Sequence, residues 1–365
     1  MKIAIVTPVY SIAGVPLAQH RFARALASRN HEVEFIIGFL PTDLHPPTIP
    51  GVKISILNKR SVTRMFLRLI SIFKKEKYEV IFSAEDHLNI VVIFAKIFSN
   101  SSSLISASSR VTPYDTYSNT LFSKRWILKQ LTKLTMKKAD VLSCVSKDMV
   151  IQYQAIFNNP PHQCIYNIVD DPISREKMLE TANHKWFQSS QHSVIIASGK
   201  LAQWKGFEDL IRAMPIIIKE KNVRLIILGD GPLRSYLEEI INELNLNSFI
   251  DLLGYVENPL KYYKNSDVFV LSSYVEGLPN VLVEAMMCGC TPVSTDCPTG
   301  PREVLKDGKY GYLVPTHSPE ELAYAVIKAL ESPIPHDLLN KAIKPFHVDQ
   351  VLKSHFKSLN LLSEI

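Results

Sequence analysis

Nine consecutive residues, Glu276-Gly277-Leu278-Pro279-Asn280-Val281-Leu282-Val283-Glu284, place two carboxylates eight positions apart. Ionised carboxylates are pure hydrogen-bond acceptors and so suit sugar hydroxyls. Just upstream, the apolar run 267–271 (DVFVL) reads as a buried strand, which puts Glu276 in the turn at that strand's carboxyl end. Open parallel sheets bind ligands along that edge. Pro279 suits the first turn of a following helix, and the amides from Leu278 to Val281 would then seat an anion such as phosphate. Hydroxyl acceptors beside a phosphate seat are what a nucleotide-sugar site requires. Taken alone, Glu284 reads better as a solvated helix residue.

The elements that must hold this motif are ordinary for a folded protein. The chain has 365 residues, 46% hydrophobic and 21% charged, which predicts two domains. Strands are expected over 3–7, 32–37, 52–57, 80–83, 104–107 and 141–145, with helices over 17–29, 62–76, 88–98, 124–138 and 147–157. A second series follows: strands near 193–198, 223–228, 249–253, 267–271 and 291–295, and helices near 207–220, 232–245, 258–264, 280–288, 300–306 and 318–331. Alternation of this kind predicts an α/β protein with two parallel sheets, each covered on both faces. The pattern loosens between 170 and 191, the expected linker. Residues 344–365 read as an amphipathic helix.

Cysteines at 144, 164, 288, 290 and 297 form no CxxC pair and read as small buried residues in a reducing compartment. The opening MKIAIVTPVY enters a strand directly, so no signal peptide is expected. No apolar run nears the ~20 residues that span a bilayer. Charge is uneven. Residues 1–170 hold 21 Lys and Arg against 11 Asp and Glu, whereas residues 171–365 hold 20 against 24. The basic half carries two amphipathic helices. In 59–77, Val62, Met65, Phe66, Leu69, Ile70 and Phe73 form an apolar stripe opposite Arg64, Arg68 and Lys75. In 122–138, basic residues from Lys124 to Lys138 are interspersed with Trp126, Ile127 and Leu131. Two readings stand: wet basic faces, or docking on anionic lipid headgroups. Nucleic acid is not an expected partner, since no recognition motif accompanies the charge.

The run 272–315 (SSYVEGLPNVLVEAMMCGCTPVSTDCPTGPREVLKDGKYGYLVP) closely resembles the signature of retaining glycosyltransferases with the GT-B fold, the glycogen-synthase-like group (glycosyltransferase family four, group 1). The resemblance implies two Rossmann-like domains facing an interdomain cleft. An N-terminal acceptor-side domain would span 1–170 and a donor domain 190–344, with the helix of 345–365 crossing back to the first. Gly199-Lys200-Leu201-Ala202-Gln203-Trp204-Lys205-Gly206-Phe207 is similar to the group's glycine–arginine–leucine loop with its downstream lysine. Here Lys200 replaces the usual arginine, keeping the charge but not the guanidinium fork. Lys200 and Lys205 would neutralise a diphosphate and stabilise the leaving nucleotide.

By the same resemblance Glu276 takes the donor sugar hydroxyls and Glu284 the ribose, while the amides of Gly277 to Val281 lie near the phosphates. Val256, in Gly254-Tyr255-Val256-Glu257, marks the nucleobase position; Tyr255 reads equally as core. The Thr299-Gly300-Pro301 turn would shape the pocket wall. Leu228-Gly229-Asp230-Gly231-Pro232 lacks dinucleotide spacing and reads as a structural turn. Ala13-Gly14 stands where relatives carry Gly-Gly, so Gly14 is expected to border the cleft. The histidine many relatives place after a middle strand is missing from 104–111; Arg110 or His87 is the candidate replacement.

The implied activity is retaining transfer of a sugar from a nucleoside diphosphate, UDP by expectation, to a glycan or lipid-linked glycan. Glu276, Lys205, Lys200 and Arg110 are the expected catalytic set, the nucleotide sugar is a substrate, and no metal or cofactor is required. Envelope polysaccharide synthesis, such as capsule or lipopolysaccharide, on the inner face of the cell membrane is the expected setting. A nucleotide-sugar epimerase or hydrolase of the same fold, or a non-catalytic membrane-surface subunit, is the alternative.

Overall fold

A computed structural model describes residues 1–11, 14–158, 160–188 and 191–364, so Ala13 of the Ala13-Gly14 pair lies outside the described residues. The chain divides into two compact units, Met1–Ile168 with Val348–Ile365, and Val169–His347. The first contains seven strands: β1 (Lys2–Val9), β2 (Glu32–Phe39), β3 (Val52–Ile56), β4 (Val80–Ala84), β5 (Leu104–Ser109), β6 (Val141–Cys144) and β7 (His162–Cys164). They pair in parallel in the order β3-β2-β1-β4-β5-β6-β7. The second has β8 (Ser193–Ser198), β9 (Val223–Leu228), β10 (Ile250–Gly254), β11 (Val268–Leu271), β12 (Thr291–Thr295) and β13 (Tyr312–Val314). Their order is β10-β9-β8-β11-β12-β13, again all parallel.

Each order reverses once, between β1 and β4 in the first unit and between β8 and β11 in the second. Doubly wound sheets take their ligands in the crevice outside the strand ends at such a reversal. The central strands are apolar almost throughout, because helices cover both faces of a parallel sheet. Ile195, Val223, Leu225, Ile227, Val268, Val270 and Val293 pack with Leu210, Ile211 and Met214 of the helix Phe207–Glu220.

In the first unit, Ile3, Ile5, Val33, Phe35 and Phe82 join Val348, Val351, Leu352 and Phe356 of the C-terminal helix Val348–Ser358 in one core. That helix is therefore part of the first unit's core, as well as the end of the chain.

Over 170–188 the expected linker is more than a connection. Asp171 caps the helix Pro172–Lys177 by accepting from the Ser174 amide at 3.0 Å. Asp170 takes Nε and Nη2 of Arg175 at 2.7 and 2.8 Å. Asn258 donates to the Lys177 carbonyl at 2.8 Å, fixing this segment to the second unit. All five cysteines are free thiols, four of them buried, and burial pushes those of Cys288 and Cys297 up to about 12.

Candidate active site

The loops after β8, β9 and β10 are laced together by main-chain bonds. The Leu201 amide donates to Asp230 at 3.0 Å, the Leu233 amide to Leu201 at 3.0 Å, and the Gly229 amide to Gly254 at 2.7 Å. A Cβ on Gly229, whose φ is +132°, would lie 1.9 Å from the Gly199 carbonyl oxygen. The glycine turn of 228–232 is thus a packing device, as its spacing predicts.

A one-turn 3-10 helix, Gln203–Lys205, ends at Gly206 with φ +62°. Any side chain there would meet the Ser272 carbonyl oxygen, 2.1 Å from the Cβ position. This close approach lays the loop after β8 against the end of β11. Ser272 Oγ donates to the Lys205 carbonyl at 2.8 Å, and the Tyr274 amide to Trp204 at 2.8 Å.

The consequence is a charge pair between residues far apart in sequence. Lys205 Nζ donates to Glu276 Oε1 at 2.5 Å, with side chains only 19% and 12% exposed. Ser273 Oγ donates to the same oxygen at 2.7 Å. The Glu276 amide donates to Pro298 at 3.2 Å, and its carbonyl accepts from Thr299 Oγ1. Charge-assisted bonds of this kind are the strong ones, so the free protein holds Glu276 in a single, preorganised place.

Beneath the pair, Tyr274 stacks on His317 at 3.8 Å between ring centroids and donates to Asp209 Oδ2 at 3.0 Å. Burial raises the Asp209 carboxyl, with the Tyr274 bond opposing.

The helix after this turn runs Asn280–Cys288, and Pro279 occupies its N-cap, one position before the expected first turn. Its ψ of 83° lies outside the helical region, while its carbonyl already accepts from the Leu282 amide at 3.0 Å. Gly277 and Leu278 complete the turn, and Asn280 and Val281 begin the helix. Glu284 is 5% exposed, which rules out the solvated reading. Burial of Tyr263 itself, and secondly the charge of Glu284, hold the Tyr263 hydroxyl well above the ordinary tyrosine range. Lys200 is exposed and makes no ion pair among the described residues. Val256 lies half-buried just beyond β10, and Tyr255, 55% exposed, is not core.

In the first unit, Gly14 opens the helix Gly14–Ala27 with φ +60°. Arg110 follows β5; its Nη1 donates to Asn167 Oδ1, and burial lowers its pKa to about 10 against the pull of Glu85. Gln19, Phe22, Ser108 and His355 join it around a cavity of about 20 Å³. His87 lies in the first turn of the helix Asp86–Ser99, with Nε2 3.3 Å from Glu85 Oε2.

The structure therefore brings Gly199, Lys205 and Glu276 together and leaves the Lys200 side chain in solvent. Ser273, Tyr274, Asp209 and His317 escape a sequence reading. Ser273 and Tyr274, three and two residues before Glu276, are near enough in sequence to carry a local signal. Among the described residues no group of three or more His, Cys, Asp or Glu side chains is placed to hold a metal, and no helix is long and apolar enough to cross a membrane.

The fold defines the class. The chain matches the structure of Anabaena Alr3699/HepE in complex with UDP at a TM-score of 0.78 and 19% identity, over 99% of this chain and 100% of that one. It matches the lipopolysaccharide outer core galactosyltransferase WaaB at 0.72 and 18% identity, over the full length of both. Both are GT-B structures, and GT-B is the fold of this chain.

In sequence, residues 180–345 match the model for glycosyl transferases group 1, and residues 12–171 that for Glycosyltransferase Family 4. The uncharacterized glycosyltransferase MJ1059 of Methanocaldococcus jannaschii is 32% identical over 73% of each chain. A Campylobacter jejuni enzyme, N-acetylgalactosamine-N,N'-diacetylbacillosaminyl-diphospho-undecaprenol 4-alpha-N-acetylgalactosaminyltransferase, is 31% identical over 70% of this chain and 67% of its own. The chain belongs to the group 1 glycosyltransferases of family four.

Proposed function

We propose that this glycosyltransferase moves a sugar from a UDP-linked donor to a hydroxyl of a lipid-linked glycan, with retention at the anomeric carbon. The Lys205–Glu276 pair at the reversal between β8 and β11 carries the reading. Glu276 Oε1 is saturated by Lys205 and Ser273, which leaves the carboxylate's other oxygen to take a donor-sugar hydroxyl. Lys205, half released by an incoming diphosphate, shares its charge with the leaving group, and Lys200 closes from solvent as a second cation. Glu284 takes the ribose, and the positive end of the Asn280–Cys288 helix dipole, with the Val281 amide in its first turn, favours the phosphates.

In the reaction, the bond from the anomeric carbon to the diphosphate oxygen breaks. A bond to the acceptor oxygen forms on the same face. The acceptor's proton passes to the departing diphosphate, whose growing negative charge the lysines stabilise. No metal enters this scheme.

A lipid-linked acceptor is supported by the diphospho-undecaprenol-linked substrate that the C. jejuni relative is named for and by the surface of the first unit. The helix Lys124–Thr135 exposes Ile127 and Leu134 among Lys124, Arg125 and Lys133, and Leu121 and Phe122 are exposed just before it. Leu67 and Phe98 are exposed on the helices Val62–Glu76 and Asp86–Ser99. Apolar and basic side chains together suit an anionic bilayer surface. The expected setting is envelope polysaccharide synthesis at the inner face of the membrane.

The test is incubation with labelled UDP-, GDP- and ADP-sugars, with and without membrane extract. Nucleotide release that requires extract, with an axial linkage by NMR from an axial donor, is expected. Release without any transfer would favour a hydrolase, an altered free sugar nucleotide an epimerase, and no turnover a non-catalytic subunit.

A further inference from the structure

Glu85 directly follows β4, the strand at which the first sheet reverses its winding. Its backbone has φ +81° and ψ 128°, a region that a residue with a side chain holds only where its surroundings over-determine it. They do so here. The Glu85 amide donates to Ser108 at 2.9 Å, and its carbonyl accepts from the amides of Leu88 and Asn89 at 3.0 and 2.9 Å. Asn89 bridges Ser83 Oγ at 2.7 Å and the Ser108 carbonyl at 3.0 Å. The neighbouring Asp86 carboxylate is buried and takes Ser109 Oγ at 2.5 Å, Tyr153 Oη at 2.5 Å and the Tyr117 hydroxyl.

None of these contacts uses the Glu85 side chain. Glu85 precedes the helix Asp86–Ser99, yet its carboxylate caps no helix amide. It is a quarter exposed, and its one polar partner among the described residues is His87, 3.3 Å from Oε2. A glycine fits this turn without strain, so the fold gives no reason for a carboxylate at this position. Burial raises the carboxyl's pKa, and the charges of His87 and Arg110 act against that rise. The carboxylate thus sits at a strand-end sheet edge of the kind that binds ligands, with Oε1 uncommitted.

We propose that Glu85 binds the acceptor, its Oε1 accepting a hydrogen bond from an acceptor-sugar hydroxyl at the switch point of the first sheet. The inference rests on the transferase reading above. The bond orients the hydroxyl, and the proton still leaves with the donor's diphosphate. Glu85 is an acceptor-binding residue that no motif announces.

Glu85→Gly and Glu85→Gln test it, the first removing both strain and carboxylate, the second only the charge. Glu85→Gly is expected to melt no lower than the parent. Both variants are expected to bind UDP-sugar as the parent does and to lose about 10- to 100-fold in transfer at low acceptor, through the acceptor KM. A purely structural Glu85 would couple loss of activity to loss of melting temperature. Transfer within about threefold of the parent in either folded variant, or a loss that tracks weaker UDP-sugar binding, overturns the assignment. Should the parent transfer no sugar from any donor, the transferase reading fails by itself. Saturation-transfer NMR with octyl glucoside, galactoside and N-acetylgalactosaminide then decides: binding by the parent and not by Glu85→Gln supports the contact, and equal binding, or none by either, overturns it.

Discussion

The two sheets reverse at corresponding places, and each reversal sets a glutamate in the turn after the next strand, Glu85 after β4 and Glu276 after β11. Their surroundings differ. Glu276 keeps a negative φ, and its carboxylate is tied to a lysine and a serine. Glu85 sits in a strained backbone with one titratable partner, His87, which is a cation only when protonated. One position is preorganised by a permanent charge. The other is preorganised by its main chain and leaves one carboxylate oxygen, Oε1, uncommitted. On the proposed reading, the difference suits a fixed, diphosphate-bearing donor at Glu276 and a variable glycan hydroxyl at Glu85.

Removing the tied glutamate breaks the comparison most sharply. Glu276→Ala is expected to retain less than about a tenth of transfer, a barrier increase above roughly 1.4 kcal/mol, while circular dichroism and melting stay near the parent's. Activity above that level would remove Glu276 from the chemistry. Lys205→Met should follow closely, with its deficit in kcat rather than in acceptor KM, since it acts on the leaving group.

Two buried histidines make the first unit sensitive to acid. Burial lowers His162 to about 4 and His355, beside Arg110, to about 3. Both stay neutral in the folded protein while the unfolded chain takes up protons below its pKa of 6.5. Their contribution is complete above pH 6.5 and falls with pH through the window down to 4 or 3, by about 2 kcal/mol each at pH 5. Denaturant titrations at pH 7 and 5 should show this loss, and His162→Phe should flatten it. An unchanged slope in that variant would contradict the burial argument.

Smaller effects sharpen the picture. Lys200→Arg is expected to match or exceed the parent, since the fork grips phosphate better than an ammonium, whereas Lys200→Ala should lose several-fold in donor affinity, on the order of 1 kcal/mol. Replacing Lys124, Arg125 and Lys133 by serine should weaken sedimentation with anionic vesicles by roughly 1 kcal/mol per residue and leave donor binding unchanged. Equal sedimentation would point to solvated basic faces.

Much of the framework was legible in the residues. Helices 62–76, 147–157, 207–220 and 280–288 and strands 193–198, 223–228 and 291–295 have the bounds their patterns predict. β7 and β13 were not visible, because three residues at a sheet edge complete no alternation. The helix Pro172–Lys177 was hidden for a similar reason: six residues make less than two turns. Motif residues around Glu276 were readable because they are contiguous. The contacts to Lys205, Asp209 and His317 were not, because those three residues come from other segments of the chain.

The sequence by itself determined the element types, the carboxylate-bearing turn at a strand end and the uneven charge of the two halves. These depend on neighbours within a few residues, where periodicity and turn chemistry act. Only the tertiary structure decided that Lys205 meets Glu276 across 71 positions, since that contact exists because β8 and β11 are adjacent and Gly206 lets their loops touch. The same holds for Glu85, whose strain is imposed by Ser108 and by the hydroxyls that anchor Asp86, partners its own sequence neighbourhood does not specify.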